Sequence, residues 1–365
     1  RGNKVALFSQ YRTNLFDEQY PDYTVDTANN ADDGLTTAKN AAVIACPYTN
    51  FNWWSSDEAG YDFEDMVWAE GKDVITSVTD VGDGTYTFSL SASPLPDPAV
   101  FTGSVAVAGT AGDQFVITGS TNSSANGVLF ECSAVTRNTS FTCTTSGGTG
   151  IGAITDGLIH WVVRYSTSAE KFMQLKLVCP STSGHLTRTN TEMASIVDSD
   201  GDTTSGVYLD TLAATRFWPC HNPNHSHTAG DGKQYITNQR KKLEGLSYRS
   251  YILTEGYAEP YLGLADGYLW MAETGSGIST QTMVPMFARI YGSVCTHIGW
   301  DNNETADGLF ATEMILAIAH RQPANGSYTA NIPADDDLFD GTFSTAPALL
   351  KTSWRQKPIK VSKRG

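Results

Sequence analysis

The chain of 365 residues carries 24 Lys and Arg against 39 Asp and Glu, a formal net charge of −15 at pH 7. An acidic surface repels phosphate backbones, which argues against nucleic-acid binding, and no uninterrupted apolar run is long enough to predict a membrane span. Only 17% of the residues are charged, whereas 40% are hydrophobic and 33 are Gly. This composition is typical of β-rich proteins that are extracellular or lie on a cell or virion surface.

Two kinds of sequence pattern alternate along the chain, one with strand-like and helix-like segments and one with strand-like segments alone. Residues 1–71 contain strand-like runs such as KVALFSQY and AAVIACPY, with the helix-compatible stretch DDGLTTAKN between them. From 72 to 165, short alternating strands are separated by Gly, Asp and Asn turns, which predicts an antiparallel sandwich or meander.

The first pattern resumes at residue 166. Its strand-like segments are GVYLDT, SYILTEG, GYLWMAE and SVCTHIGW, and GKQYITNQRKKLEGL is helix-like. Strands that alternate with helices favour parallel βαβ units. Because residues 1–71 and 166–345 together have the size of a (β/α)8 barrel, we predict an α/β fold. Residues 1–71 and 166–345 are the two parts of a TIM-like barrel, 72–165 an inserted β-sandwich-like domain, and 346–365 a basic C-terminal tail.

Cysteines and glycosylation motifs are consistent with an oxidising compartment. Cys132 and Cys143 lie in neighbouring predicted strands and are a disulfide candidate. The N-x-S/T motif predicts N-glycosylation candidates of an extracellular glycoprotein. These candidates are Asn122, Asn138, Asn224, Asn303 and Asn325.

Carboxylates end several of the predicted barrel strands, among them Asp210 in GVYLD, Glu255 in YILTEG and Glu273 in YLWMAE. Barrel enzymes place their chemistry at the carboxyl ends of the strands. Cleavage of a glycosidic bond needs two carboxyl groups, and aromatic rings can stack on the sugar. We therefore predict a catalytic pair among these strand-end carboxylates. Candidate substrate-binding residues at the same rim are Tyr48, Asn50, Trp53, Trp54, Trp218, His225, His227, Glu259, Glu273, His297, Trp300 and Asp301.

Alternatives to these roles stay open. Asp210 is also compatible with capping the next loop, and Glu259 rivals Glu255, one of the two being expected in a structural salt bridge. Glu273 precedes the Gly-rich stretch TGSGIST and is expected to shape the pocket. Asp301 either binds a sugar hydroxyl together with His297 or begins the turn WDNNETADG.

The loop after Asp210 contains Cys220, His221, His225 and His227. Their spacing does not match a common zinc pattern, such as Cys-x2-Cys paired with His-x3–5-His. The stretch DSDGDTTSG at 198–206 is similar to a calcium loop but lacks the distal Glu. We therefore predict no metal and no cofactor, and expect a histidine of this loop to contact the substrate or Asp210.

A family resemblance is carried by GVYLDTLAA, NHSHTAGDGKQY and ILTEGYAEPYLGLADGYLWM, with FDEQYPDYTV, VIACPYTNFNWW and PMFARIYGSV fitting the same pattern. These stretches resemble a family of bacterial predicted glycoside hydrolases of undefined substrate and cover most of 1–71 and 166–320. The order of Asp and Glu is also distantly similar to endo-α-N-acetylgalactosaminidase barrels. The resemblance implies a retaining mechanism in which Asp210 is the nucleophile and Glu255 the acid/base. It also implies a barrel incomplete at its N-terminus.

A second hypothesis makes the barrel a non-catalytic structural or adhesive subunit of an extracellular fibre or virion appendage. A basic tail on an acidic body can pair head to tail and give a filament when the rotation does not close. The predicted partner is thus carbohydrate, with self-assembly through the tail or the β insertion under the second hypothesis.

Overall fold

A computed structural model describes the residues on which the fold is built. They are 5–8, 19–24, 44–72, 75–82, 84–90, 99–101, 112–136, 140–145, 150–166, 174–197, 206–213, 217–247, 251–256, 258–269, 291 and 295–298. Among them no helix is long and apolar enough to cross a membrane.

Strands dominate the described part of the chain. Numbered along the sequence, they are β1 (Val5–Phe8), β2 (Ile44–Asn50), β3 (Trp53–Ser55), β4 (Ile75–Gly82), β5 (Thr85–Leu90), β6 (Ala99–Phe101), β7 (Gln114–Thr118), β8 (Leu129–Thr136), β9 (Ser140–Thr145), β10 (Leu158–Trp161), β11 (Arg164–Ser166), β12 (Leu175–Leu177), β13 (Val207–Asp210), β14 (Ile252–Glu255), β15 (Gly267–Leu269) and β16 (Thr296–Ile298). The described helices are α1 (Gly184–Val197) and α2 (Gly232–Glu244), with 3-10 turns at Phe63–Asp65, Ser123–Ala125 and Glu259–Tyr261.

A parallel sheet of six strands has the order β1-β2-β13-β14-β15-β16. Residues 207–210 and 252–255 are buried throughout, as expected for parallel strands that are covered on both faces. The predicted parallel α/β architecture is confirmed. The predicted closed (β/α)8 barrel is not shown, because within the described residues β1 and β16 are the edge strands of this sheet.

An antiparallel sheet of order β10-β7-β8-β9-β5-β4 occupies the segment where the sequence predicts antiparallel strands. Its core is aromatic: the rings of Phe115 and Phe130 stack with centroids 5.0 Å apart, and Phe88 meets Phe115 edge-on at 5.2 Å. Such ring pairs add specific geometry to the apolar area that they bury.

A third sheet, β3-β12-β11-β6, joins the predicted insertion to the rest of the fold. Strand β12 lies outside the predicted insertion, yet it pairs with β11 through Lys176 and Arg164 and with β3 through Lys176 and Trp54. One cluster of buried side chains contains Phe88 of the antiparallel sheet together with Tyr208 and Leu253 of the parallel sheet. The division at 72 and 165 stays a prediction, but the described core is continuous across it.

A buried ion pair lies where the antiparallel sheet meets the third sheet. The Arg164 guanidinium donates to the Asp113 carboxylate, and both side chains are fully buried. Nearby, Lys176 Nζ donates to the Gly112 carbonyl at 3.1 Å, and burial lowers the pKa of Lys176 to about 8 against the opposing influence of Asp113. Breaking such a pair leaves an uncompensated charge away from water.

We expect Arg164→Met to lower the free energy of unfolding by about 3–5 kcal/mol, because the Asp113 carboxylate stays buried without its main partner. Urea unfolding followed by circular dichroism measures the change. The control is Lys72→Met, which removes a solvent-exposed ion pair with Glu70 and should produce no measurable change. Equal losses in both variants would contradict the assignment of this pair as a buried structural element.

Candidate functional site

The carboxyl edge of the parallel sheet brings three polar residues into one row. Strands β2, β13 and β14 end at Asn50, Asp210 and Glu255. Asp210 lies opposite Asn50 in the register, and the pairing of Leu209 with Thr254 puts Glu255 beside Asp210 on the other side. The three residues are only 2%, 6% and 7% exposed. The two carboxylates predicted as catalytic therefore end adjacent strands.

Amide groups orient both carboxylates. Asn50 Nδ2 donates to Asp210 Oδ2 at 3.4 Å, while Asn50 Oδ1 accepts from the backbone N–H groups of Asn52 and Trp53 at 2.9 and 3.0 Å. The two accepted bonds identify which end of the Asn50 amide faces Asp210. The Thr211 backbone N–H donates to Glu255 Oε2 at 3.2 Å.

Thr211 directly follows Asp210 and has a φ of 56°. A left-handed conformation is unusual for a β-branched residue and persists only where the surroundings impose it. Here Trp53 Nε1 donates to Thr211 Oγ1 at 3.1 Å, and Asn52 Nδ2 donates to the Thr211 carbonyl at 3.3 Å. The strained turn therefore connects the ends of β2, β13 and β14 through Thr211.

The loop after β2 is held by side chains of both described helices. Lys242 Nζ donates to the Phe51 carbonyl at 3.1 Å, and Gln239 Nε2 donates to Asn52 Oδ1 at 2.6 Å. His185 Nε2 donates to the Trp53 carbonyl at 3.1 Å. Since burial lowers the pKa of His185 well below its ordinary value, the neutral imidazole is the form that makes this bond. The helices thus support the row of site residues.

Local sequence explains where α2 begins and ends. The Asp231 side chain accepts from the N–H groups of Lys233 and Gln234 and caps the first turn. The last turn carries Lys241 and Lys242, and the charge of the exposed Lys241 complements the carboxyl end of the helix. Gly245 follows as the C-cap. The side chain of Lys242 is buried, with Nζ 4.5 Å from the centre of the Phe51 ring.

Burial lowers the pKa of Lys242 to about 7, far below the value near 10.4 of an unfolded chain. Between these two pH values the unfolded chain binds the additional proton, so stability rises with pH. We expect Lys242→Met to remove a rise in the free energy of unfolding of up to about 4 kcal/mol between pH 7 and pH 10. Urea titrations at several pH values measure it.

The exposed neighbour provides the matched control for this pH dependence. Lys241→Met should retain the wild-type rise, because the Lys241 side chain lies in water. Lys176 is unchanged in both variants. Above about pH 8 it therefore contributes the same rise in the free energy of unfolding to Lys241→Met and to Lys242→Met. A rise that is identical in the wild type and in Lys242→Met would contradict the buried, neutral state of Lys242.

The aromatic candidates lie mainly in the core. Trp53 and Trp54 are 0% and 3% exposed; Trp53 packs edge-on against Tyr165 at 5.0 Å. Tyr48 is also buried and packs against Tyr208. Trp218 is half-buried. The rings of Trp53 and Trp54 are covered by protein, and their stacking on a sugar stays a prediction.

Of the remaining candidates at the rim, the structure describes Glu259 and the backbone of His297. Glu259, the rival of Glu255, is exposed, and its Oε1 accepts from the Tyr291 hydroxyl at 2.7 Å. His297 lies on β16, but its side chain is outside the described part. Glu273, Trp300 and Asp301 lie outside the described residues, as do residues 198–205 of the calcium-like stretch and the tail on which the filament hypothesis depends.

A cluster of four side chains forms where the loop after β13 meets the segment that follows β12. Cys179, Cys220, His225 and His227 bring their donor atoms within 4.8 Å of one another. Hydrogen bonding by Cys220 and then by His225 lowers the pKa of the Cys179 thiol, whereas burial and Cys179 raise the pKa of the Cys220 thiol. The two histidines contact these thiols and backbone carbonyls, a different environment from the expected contact with substrate or Asp210.

Cys179 is absent from the ligands that the spacing in the sequence suggests. Those ligands all lie near Cys220, whereas Cys179 follows β12, far upstream. A Cys directly after a strand in the stretch LKLVCP was the signal in the sequence, but nothing local connects it to the histidines. The prediction that no metal binds therefore rested on an incomplete set of residues.

The side chains of the disulfide candidate and of two glycosylation candidates make contacts within the described fold. Cys132 and Cys143 are direct partners in the antiparallel register, with free thiols whose sulfur atoms are 3.4 Å apart. Asn122 Nδ2 donates to two backbone carbonyls at 2.6 and 3.0 Å, so its amide is used by the fold. Asn224 is exposed and donates to Glu64. Asn138, Asn303 and Asn325 lie outside the described residues.

A family model matches part of the chain. A family described as Domain of unknown function (DUF6259) matches residues 163–302. This span contains β13, β14 and the whole Cys–His cluster. The matched segment therefore includes both predicted catalytic carboxylates.

Particular relatives match shorter segments. "Putative glycoside hydrolase" of Bacteroides thetaiotaomicron is 30% identical over 102 residues, 27% of this chain and 15% of that protein. "Putative glycoside hydrolase 22789" of Monosiga brevicollis is 31% identical over 134 residues, 35% of this chain and 11% of that protein. The chain thus spans a small part of the length of the curated relatives that it matches.

Two solved structures of Alpha-N-acetylgalactosaminidase NagBb from Bifidobacterium bifidum also overlap with the chain. The ligand-free form has a TM-score of 0.48 and the quadruple mutant 0.49, each at 9% sequence identity. Each overlap covers 90% of this chain and 40% of the NagBb chain.

Proposed function

We propose that the chain carries the catalytic carboxylates of a glycoside hydrolase that cleaves a glycan with retention of configuration. Asp210 is the nucleophile and Glu255 the acid/base. The observation that carries the proposal is the row formed by Asn50, Asp210 and Glu255 at the carboxyl ends of adjacent parallel strands. The names of the two curated relatives, both described as glycoside hydrolases, support the same reaction class.

Strand order supports a barrel-type architecture within this proposal. The parallel strands follow one another in sequence order from β1 to β16 without a reversal. A doubly wound sheet reverses its order at a switch point, whereas a (β/α)8 barrel does not. We infer that β1 and β16 belong to a barrel that further strands complete, with the site at its carboxyl face.

The spacing of adjacent strands suits a retaining mechanism. Neighbouring strands lie about 4.8 Å apart, and retaining glycosidases have carboxyl groups about 5–5.5 Å apart, against about 6.5–9.5 Å in inverting ones. In the first step the Asp210 carboxylate attacks the anomeric carbon while Glu255 protonates the leaving oxygen. In the second step Glu255 removes a proton from water, which releases the sugar from Asp210.

Polar neighbours of the two carboxylates suit these roles. The Asn50 amide donates to Asp210 and stabilises its ionised form, the form that a nucleophile requires. The Thr211 N–H holds Glu255 through one oxygen, so the orientation of its carboxyl group is set by the strained turn after Asp210. The nearly complete burial of both residues strengthens every charge interaction with a bound substrate.

We expect Glu255→Gln to lower kcat on natural glycans by about 10²–10⁴-fold, because the leaving oxygen is no longer protonated. Aryl glycosides with acidic leaving groups need less protonation and should be less affected in the first step. Asp210→Ala should abolish turnover, with partial rescue by azide, which replaces the carboxylate as nucleophile. Screening of glycan and aryl-glycoside libraries with product analysis measures these effects.

A matched control lies at the opposite edge of the same strands. Asp266 accepts from the Ile252 backbone N–H at the start of β14, and Asp266→Asn should leave the hydrolytic rate unchanged. Products of inverted configuration from the wild type would contradict the assigned roles. Equal background rates in the wild type and Asp210→Ala across the whole library would remove the hydrolase proposal.

A further inference from the structure

Four metal-binding side chains converge from two stretches of the chain. Cys179 follows β12, while Cys220, His225 and His227 belong to the loop at 217–231 between β13 and α2. Each side chain offers one ligand atom, and these atoms all lie within 4.8 Å of one another. Both cysteines are buried and both histidines are half-buried, so the cluster is shielded from solvent on the sulfur side.

We propose that Cys179, Cys220, His225 and His227 bind one Zn²⁺ ion in a tetrahedral site that clamps the loop at 217–231 to the end of β12. Two thiolates with two imidazoles form a donor set that zinc prefers in closed structural sites. Four protein ligands fill the tetrahedron and leave no position for water or substrate, so the ion stabilises structure and takes no part in hydrolysis.

Two sulfur–nitrogen distances within the cluster match the edges of a zinc tetrahedron. With zinc–sulfur and zinc–nitrogen bonds of about 2.3 and 2.0–2.1 Å, a tetrahedral sulfur–nitrogen edge is about 3.5 Å. Cys179 Sγ lies 3.4 Å from His227 Nε2, and Cys220 Sγ lies 3.4 Å from His225 Nδ1. Two independent edges of the expected polyhedron therefore already have the required length.

The outer ring nitrogens have the partners that zinc-bound histidines use. His225 Nε2 hydrogen-bonds the Glu64 carbonyl, and His227 Nδ1 lies 3.1 Å from the Thr228 carbonyl. A carbonyl only accepts, so each of these nitrogens carries the proton and the other nitrogen presents its lone pair to the cluster. The Ser181 hydroxyl, 3.2 Å from Cys179 Sγ, can donate to the thiolate.

Backbone hydrogen bonds hold both cysteines in place independently of a metal. The Cys179 N–H donates to the Asp65 carbonyl at 2.9 Å, and the Cys220 carbonyl accepts from Gly230 at 2.8 Å. Gly230 has a φ of 77°, a conformation that favours glycine. The loop closes on itself through this bond, so the ligands are arranged before the ion binds.

Metal analysis of the full 365-residue chain, expressed with zinc and purified under reducing conditions, tests the proposal. We expect one zinc ion per chain by mass spectrometry of the metal content. Removing zinc with a chelator should lower the melting temperature, and adding Co²⁺ should give the strong visible absorption of tetrahedral cobalt with thiolate-to-cobalt charge-transfer bands.

Single substitutions separate the four ligands from their neighbours. Cys179→Ala, Cys220→Ala, His225→Ala and His227→Ala should each lose stoichiometric zinc, and His227→Ala should melt at a temperature that the chelator no longer changes. His221→Ala is the matched control, since His221 adjoins Cys220 but lies outside the cluster. Cys295→Ala controls for loss of an unrelated thiol. Both controls should keep one zinc ion per chain.

Several outcomes would overturn the site. Zinc retained in the ligand variants, or lost equally in His221→Ala, would exclude this set of ligands. If the wild type, purified without reductant and then denatured, has two thiols fewer than its six cysteines, with Cys179 and Cys220 joined, the cluster holds a disulfide instead. Should a variant fail to fold, the cobalt spectrum of the wild type decides alone, because a cluster without metal affinity gives no colour. Activity on glycans does not enter this test, so it is independent of the proposed hydrolysis.

Discussion

The register between β2, β13 and β14 is the constraint on which the candidate site depends. Side chains on adjacent parallel strands share a row only when the strands pair in one register, and here the row is Asn50, Asp210 and Glu255. A shift by one residue would replace both carboxylates by Leu209 and Thr254 or by loop residues. The hydrogen bonds from Asn50 to Asp210 and from Thr211 to Glu255 form in this register, so the pairing of the strands determines where the polar groups lie.

Support for this row comes from behind the sheet edge. The buried polar groups of α1 and α2 bind the carbonyls and amides of the loop after β2, and the left-handed Thr211 connects that loop to Glu255. Each of these groups is buried and hydrogen-bonded, because an unpaired polar group away from water is costly. The same rule applies to Asp113 and Arg164 between the other sheets. Polar pairs, each satisfied inside the protein, thus connect the three sheets and two helices.

Much of the architecture was predictable from the pattern of residues. Apolar runs such as Val207–Asp210 indicated parallel strands, alternating runs indicated the antiparallel sheet, and polar strand ends indicated Asp210 and Glu255. The pairing of β6 with β11 was not predictable, because a three-residue strand inside the predicted insertion has no local signal of its partner. The burial of Trp53 and Trp54 was not predictable either, since tryptophan serves equally in a core and on a sugar-binding surface.

The sequence by itself determined the class of the elements and the chemistry at their ends: period, turn residues and apolar runs are local properties of the chain. Tertiary structure decided which residues meet. Cys179 joins Cys220, His225 and His227 only because β12 ends beside the loop that follows β13, and Asn50 meets Asp210 only through strand pairing. Contacts between residues far apart in the chain depend on the packing of whole elements, which no local spacing records.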